Sequence, residues 1–273
     1  MSMKQAYEAG SKAFREKLAR EAPADEALLR QMRESDTIVV RGTYDFAEDV
    51  LSAMQVPFVL VEPGLLAQTT LRPEQAVLVN CPGQIERAGL DQLRRFVETG
   101  GYLVTTDWAL KHVLESAFPG FVEYNGRPSC DDVVRVEVVD RGVEMLKDLL
   151  DSKDDPQWWL EGSSYPIRVL DPGKVEVLIR SKEMEEKYGE APIAVRFSCG
   201  KGSVFHIVSH YYLQRTETRT NRQKGAAKEY LAEKGIVAAQ AAAEGLEAGA
   251  VESAYTSTGF LGKILIKRQQ SKA

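Results

Sequence analysis

The sequence predicts an α/β fold around a mostly parallel sheet, and three observations lead to it. Short continuous apolar runs such as Thr37-Ile38-Val39-Val40 have the pattern of strands buried on both faces. Helical segments of about ten residues alternate with such runs as far as Phe118, the rhythm of right-handed strand–helix–strand crossovers. Beyond that point strands follow one another across turn signals, Asp171-Pro172-Gly173 and Cys199-Gly200-Lys201-Gly202. An antiparallel extension of the sheet is therefore expected from residues 167–208.

The first 34 residues read as helix, with Tyr7, Phe14, Leu18, Leu28, Leu29 and Met32 near helical spacing and Pro23 dividing the run. They suit a helical pair packed on the domain or on a partner. Thr37–Val40 opens the domain as a strand. A helix over Tyr44–Met54 and strands over Pro57–Val61 and Ala76–Asn80 follow. Helix Leu90–Thr99 stops at Gly100-Gly101, where a left-handed cap residue is expected. Next come strand Tyr102–Thr106 and helix Trp108–Phe118. Later strands fall at Val133–Val139, Ile167–Leu170, Val175–Ser181, Ile193–Phe197 and Ser203–Val208, with Ser181–Ala191 a charged loop or short helix.

After Gln214 the composition shifts. Residues 215–250 are rich in Ala, Glu, Lys and Gln with few large apolar side chains, so a loosely held helix or disorder is expected. The apolar-basic run Phe260–Lys267 suits docking on an acidic partner, addition of a strand to an exposed edge, contact with anionic lipid, or a solvated tail, with partner docking favoured over the membrane. The chain thus divides into a helical extension (1–35), the α/β domain (36–214) and a helical or flexible tail (215–273).

Of the 273 residues 44% are hydrophobic and 27% charged, the profile of a soluble globular protein. A net charge of −5 gives no concentrated basic face, so nucleic acid is not an expected partner. The three cysteines Cys81, Cys130 and Cys199 form no CxxC pair, which leaves no zinc spacing and no disulfide framework. The N-terminal segment is charged throughout, without the apolar centre of a signal peptide, and no run approaches the roughly 18 apolar residues of a membrane span. A cytoplasmic protein is expected, with no membrane partner. No metal or cofactor is assigned.

Three segments carry a family resemblance. Ala76-Val77-Leu78-Val79-Asn80-Cys81-Pro82-Gly83 reads as a strand and its turn. Leu93–Ala109 reads as a helix, a glycine pair and a strand entering a sharp turn at Asp107-Trp108. Gly200–His210 reads as a late strand ending in Ser209-His210. Together, across residues 36–214, they resemble the class I glutamine amidotransferase-like superfamily in its ThuA-like, non-amidotransferase branch. The resemblance implies a flavodoxin-like three-layer fold. Active members use a thiolate on the strand-to-helix turn, oxyanion-stabilising amides, a histidine and an acid two residues beyond it. On that pattern Asp107 stands at the nucleophile, His210 at the histidine and Tyr212 at the acid, so only the histidine matches. The resemblance then implies a catalytically inactive module for interaction or assembly, pairing with a protein partner or with itself through the terminal helices.

The residues themselves admit other roles. Asp107 directly precedes a helix and is expected to cap its first free amides, although a carboxylate nucleophile is the sharper alternative. Cys81 lies just past a strand, at the mouth of the sheet where open α/β folds bind ligands, as a small buried hydrophobe or a displaced nucleophile. Pro82, Gly83, Trp108 and Tyr212 complete a candidate ligand-binding set. His206 and His210, four apart on a strand, share a face but lack a third metal ligand by spacing. Trp158-Trp159 either anchors a long loop or forms a lid or partner patch. Two active alternatives follow: a small-metabolite sensor using the strand-end crevice, or a hydrolase with Asp107 or Cys81 as nucleophile and His210 as base.

Overall fold

Helices α1 (Met3–Glu21) and α2 (Pro23–Arg30) precede the first strand in the computed structural model, which describes residues 3–140, 146, 156–214 and 221–272. The chain then runs through β1 (Thr37–Val40), α3 (Ala47–Ala53), β2 (Val59–Val61), β3 (Ala76–Val79), α4 (Arg87–Thr99) and β4 (Tyr102–Thr106). A wide helical turn at Leu110–Leu114 leads into α5 (Glu115–Ala117). There follow β5 (Val122–Tyr124), β6 (Asp132–Arg135), β7 (Glu137–Val138), β8 (Gln157–Leu160), β9 (Ile167–Val169), β10 (Val175–Arg180), α6 (Lys182–Tyr188), β11 (Pro192–Cys199) and β12 (Gly202–Ile207). Helices α7 (Ala227–Glu233) and α8 (Ala248–Gln270) close the chain.

Eight strands form one open mixed sheet in the order β2-β1-β3-β4-β12-β11-β10-β7. The first five are parallel, as the uninterrupted apolar runs require. In register, Val40 pairs with Val79, Val79 with Thr105 and Thr105 with His206, so the carboxyl ends of β1, β3, β4 and β12 finish along one edge. Gly100, at φ 129°, ends α4 where the glycine pair was expected to.

The antiparallel extension is real but is not built from the strands of residues 167–208 alone. It consists of β11, β10 and β7. Ile167–Leu170 lies outside it, because β9 pairs with β5 in a separate hairpin-like sheet. The single strand expected over Val133–Val139 splits at Val136: β6 pairs with β8, while β7 pairs with β10. An apolar run records burial but not the identity of the partner strand.

The loosely held or solvated tail is corrected at α8. Every residue from Ala248 to Gly262 is buried, as are Ile264, Leu265 and Ile266. The cause is close helix packing through small residues. A Cβ on Gly10 of α1 would lie 2.8 Å from the Tyr255 amide nitrogen, so only glycine lets the two backbones approach. Phe14 covers Gly262 in the same interface. Phe260 then reaches the domain, edge-on to Trp158 and stacked on Tyr211. Few large side chains suggest a weak core; here small ones make a tight one. Among the described residues no helix is long and apolar enough to cross a membrane.

His206 points into this core rather than towards His210, with Nδ1 2.8 Å from Thr105 Oγ1. Burial pushes its pKa down to about 3, only partly opposed by hydrogen bonding to Thr105. The unfolded chain takes up this proton near pH 6.5 and the folded chain does not, so the stabilising contribution is complete above that pH and is lost as pH falls towards 3. Urea titrations across this range should show that loss, at most roughly 5 kcal/mol, and His206→Asn should flatten it. Separately, Phe260→Ala should lower stability by about 3–5 kcal/mol in the same assay.

Candidate functional site

Three strand ends bring the site together. Past β3, Cys81 is buried, and its N–H donates to Thr106 Oγ1 at 3.1 Å. Its carbonyl accepts from the amides of Thr43 and Tyr44 at 2.9 and 3.1 Å. That crossing requires Gly42, where a Cβ would sit 2.3 Å from the Cys81 oxygen. Past β4, Asp107 occupies the left-handed region at φ 47°, a conformation that aspartate tolerates better than most residues.

The Asp107 carboxylate does not cap its own helix, which corrects the expected role. Oδ1 accepts from the Tyr165 amide at 2.8 Å and Oδ2 from Ser164 Oγ at 3.1 Å. Oδ2 also stands 3.3 Å from Nε2 of His210. Positive φ turns the side chain across the crevice, and the following turn is closed by its backbone carbonyl, which accepts from Leu110 N at 2.9 Å.

Past β12, Ser209 at φ 77° swings the chain so that His210 faces the crevice. The turn is clasped from two sides. The buried Asp45 carboxylate accepts from the amides of Phe46 (2.8 Å), Tyr211 (3.1 Å) and Tyr212 (3.0 Å). Tyr7 of α1 donates its hydroxyl to the Tyr211 carbonyl at 2.7 Å and accepts from Leu213 N at 2.9 Å.

The second carboxylate on the histidine is Glu161, which the residue immediately after β8 supplies against Nδ1 of His210. Trp158 and Trp159 make this possible as core anchors, and the lid or partner-patch reading of the pair is set aside. Both are buried, and Trp158 Nε1 donates to the Val208 carbonyl at 3.2 Å. Burial alone would depress the imidazole. Contacts with Asp107, Cys81 and Glu161, and the field of Asp45, instead hold its pKa well above the ordinary value. Burial pushes the Cys81 thiol up, opposed by His210 and by the Trp108 amide and reinforced by Asp107.

One donor atom each from Cys81, Asp107 and His210 lies within 4.8 Å of the others. They open onto a cleft of about 600 Å³ walled by Tyr44, Trp108, Asp131 and Glu161. Trp108 is fixed there by donating Nε1–H to the Ser163 carbonyl at 2.7 Å, with Tyr44 edge-on and Tyr165 stacked.

Of the residues singled out from sequence, Cys81, Asp107, His210 and Trp108 converge. Gly83 does not reach the cleft; it packs under the turn against Ala109 and Val113, and neighbouring Pro82 is likewise absent from the cleft walls. Tyr212, placed at the acid position, stacks on Tyr7 at 4.6 Å and lines a different cleft beside α1. Glu161, Asp45 and Asp131 were not anticipated. The only available signal for Glu161 was its place two residues after the tryptophan pair.

No family model and no curated protein matches the chain. Solved structures that match include the cytoplasmic protein STM3548 from Salmonella typhimurium, 10% identical over 65% of this chain and 88% of that one, with a TM-score of 0.46. A β-galactosidase from Bacillus circulans is 13% identical over 71% of this chain and 32% of its own, TM-score 0.44. The carbohydrate deacetylase Agd3 is 12% identical over 64% and 29%, TM-score 0.43. This chain therefore spans about a third or less of the carbohydrate-active enzymes it matches.

These findings correct the amidotransferase-like resemblance: no family model supports it, and the matched structures are glycosidases, a deacetylase and Salmonella cytoplasmic proteins. The inactive interaction module built on that resemblance is set aside with it. Glu161, and not Tyr212, stands against His210, and the terminal helices bury small-residue faces on each other.

Asp107→Ala should orphan the Tyr165 amide and release residues 163–165. Urea denaturation should record a loss of about 1–3 kcal/mol.

Proposed function

We propose that the strand-end crevice is the active site of a hydrolase in which Cys81 is the nucleophile and His210, oriented by Glu161, moves the proton. The observation that carries this reading is the position of His210. Its ring stands between the Cys81 thiol and the Glu161 carboxylate, at the edge where open α/β sheets bind ligands. Nucleophile, base and orienting acid are the three parts that thiol hydrolysis needs.

In this reading the reacting form is the one in which His210 has released the proton its carboxylate neighbours favour; Cys81 Sγ then bonds to the carbonyl carbon of an acyl substrate as its own proton passes to Nε2 of His210. The bond to the leaving group breaks, and His210 returns the proton to the departing atom. Water then attacks the acyl-thioester by the same relay, releasing the acid and restoring the thiol. Asp107 is the positioning residue. Both its oxygens are held by Tyr165 and Ser164, which leaves it poorly placed to attack. Asp131 and Glu161 on the walls disfavour anionic substrates, and the Trp108 and Tyr44 rings suit an apolar or planar group.

The same reading takes the core as flavodoxin-like and three-layered. The strand order β2-β1-β3-β4-β12, which matches the doubly wound pattern, supports this. A reducing, cytoplasmic setting is supported by three cysteines that are all free thiols.

With a panel of chromogenic esters, thioesters and anilides assayed with chelator present, Cys81→Ala and His210→Gln should each lower kcat/KM at least about a hundredfold. Cys130→Ser, at an exposed thiol, should leave it unchanged. Turnover that survives Cys81→Ala would overturn the assignment.

A further inference from the structure

We infer that Cys81, Asp107 and His210 together bind one divalent transition-metal ion of the zinc class. The three donors arrive from the ends of β3, β4 and β12, which are 26 and 103 residues apart in sequence (107 − 81 and 210 − 107), so no spacing motif announces them. Zinc held at about 2.0–2.3 Å by such ligands places neighbouring donor atoms roughly 3.3–3.8 Å apart in a tetrahedron. Asp107 Oδ2 and His210 Nε2 already stand at 3.3 Å, and the three donors fall within 4.8 Å of one another.

Two further features point to a ligand. The His210 side chain is only 8% exposed, and its Nε2 faces Asp107 Oδ2 at 3.3 Å without an aligned hydrogen bond, so a buried imidazole nitrogen is turned to the centre of the cluster. Glu161 lies against the other ring nitrogen, as the outer carboxylate does in carboxylate–histidine–metal arrangements, where it fixes the ring and strengthens the ligand. The Tyr165 amide and Ser164 hydroxyl hold Asp107 in the same outer-sphere fashion. A thiolate in the donor set selects against magnesium and calcium in favour of zinc-like ions. The fourth position opens on the cleft, free for water or a ligand.

The site goes beyond the hydrolase reading, because coordination needs no turnover. One consequence does rest on that reading: a metal that captures Sγ removes the nucleophile, so zinc should inhibit thiol hydrolysis reversibly.

Cobalt(II) titrated into the full chain should saturate at one equivalent with a thiolate-to-cobalt charge-transfer band, and zinc should displace it. Cys81→Ser should abolish the band and His210→Gln should weaken zinc binding at least about tenfold. Glu161→Gln should weaken it by roughly 10–100-fold, whereas Cys130→Ser and Cys199→Ser should change nothing. A variant-free reading comes from zinc-edge X-ray absorption of the wild-type protein, which should show one sulfur at about 2.3 Å among N/O ligands. A sulfur-free shell, a band that persists in Cys81→Ser, or no stoichiometric cobalt spectrum would overturn the site. Hydrolysis measured with chelator present is scored separately: binding without turnover sinks only the hydrolase, and turnover without binding sinks only the metal.

Discussion

The buried carboxylate of Asp45 holds the turn on which the site depends. A charge withdrawn from water is tolerable only when it is fully hydrogen-bonded, and three backbone amides, those of Phe46, Tyr211 and Tyr212, satisfy it. Two of the three belong to the turn after β12. That turn places Ser209 in the left-handed region and aims His210 at Cys81 and Asp107. Tyr7 clasps the same turn from the opposite side, and Tyr7 belongs to α1, which packs on α8. The terminal helices thus brace the turn that carries His210, although they lie far from it in sequence.

Electrostatics in the crevice follow from that placement. His210 is buried between two carboxylates, and their attraction outweighs the burial that would otherwise keep the ring neutral. Asp107 serves two neighbours at once: it ties down residues 164–165 and contacts the imidazole. The thiol remains protonated more readily than an exposed one, because burial penalises its anion.

Much of the framework was legible from residue pattern. The parallel strands at Thr37–Val40, Ala76–Val79 and Tyr102–Thr106 are runs that only double-sided burial explains, and Gly100 stops α4 where a left-handed cap is needed. Cys81, Asp107 and His210 were visible as strand-end residues, since strand ends in parallel sheets converge on one edge. Their roles were not. The capping role expected of Asp107 depended on a side-chain direction that its positive φ reverses. Tyr212 was placed at the acid position by the family pattern, two residues beyond the histidine, and in the fold its ring stacks on Tyr7 instead. Glu161 comes from β8, whose partner β6 was itself read as part of a longer strand.

The sequence by itself determined the elements, the sheet's parallel half and which residues stand at its carboxyl edge, because burial periodicity and turn chemistry are local properties. Tertiary structure alone decided that Glu161 and not Tyr212 meets His210, that α8 packs tightly on α1, and that Asp107 reaches across the crevice rather than down its helix. Each of these rests on contacts between segments tens to hundreds of residues apart. Local pattern records how deeply a side chain is buried, but only the folded chain determines what it is buried against.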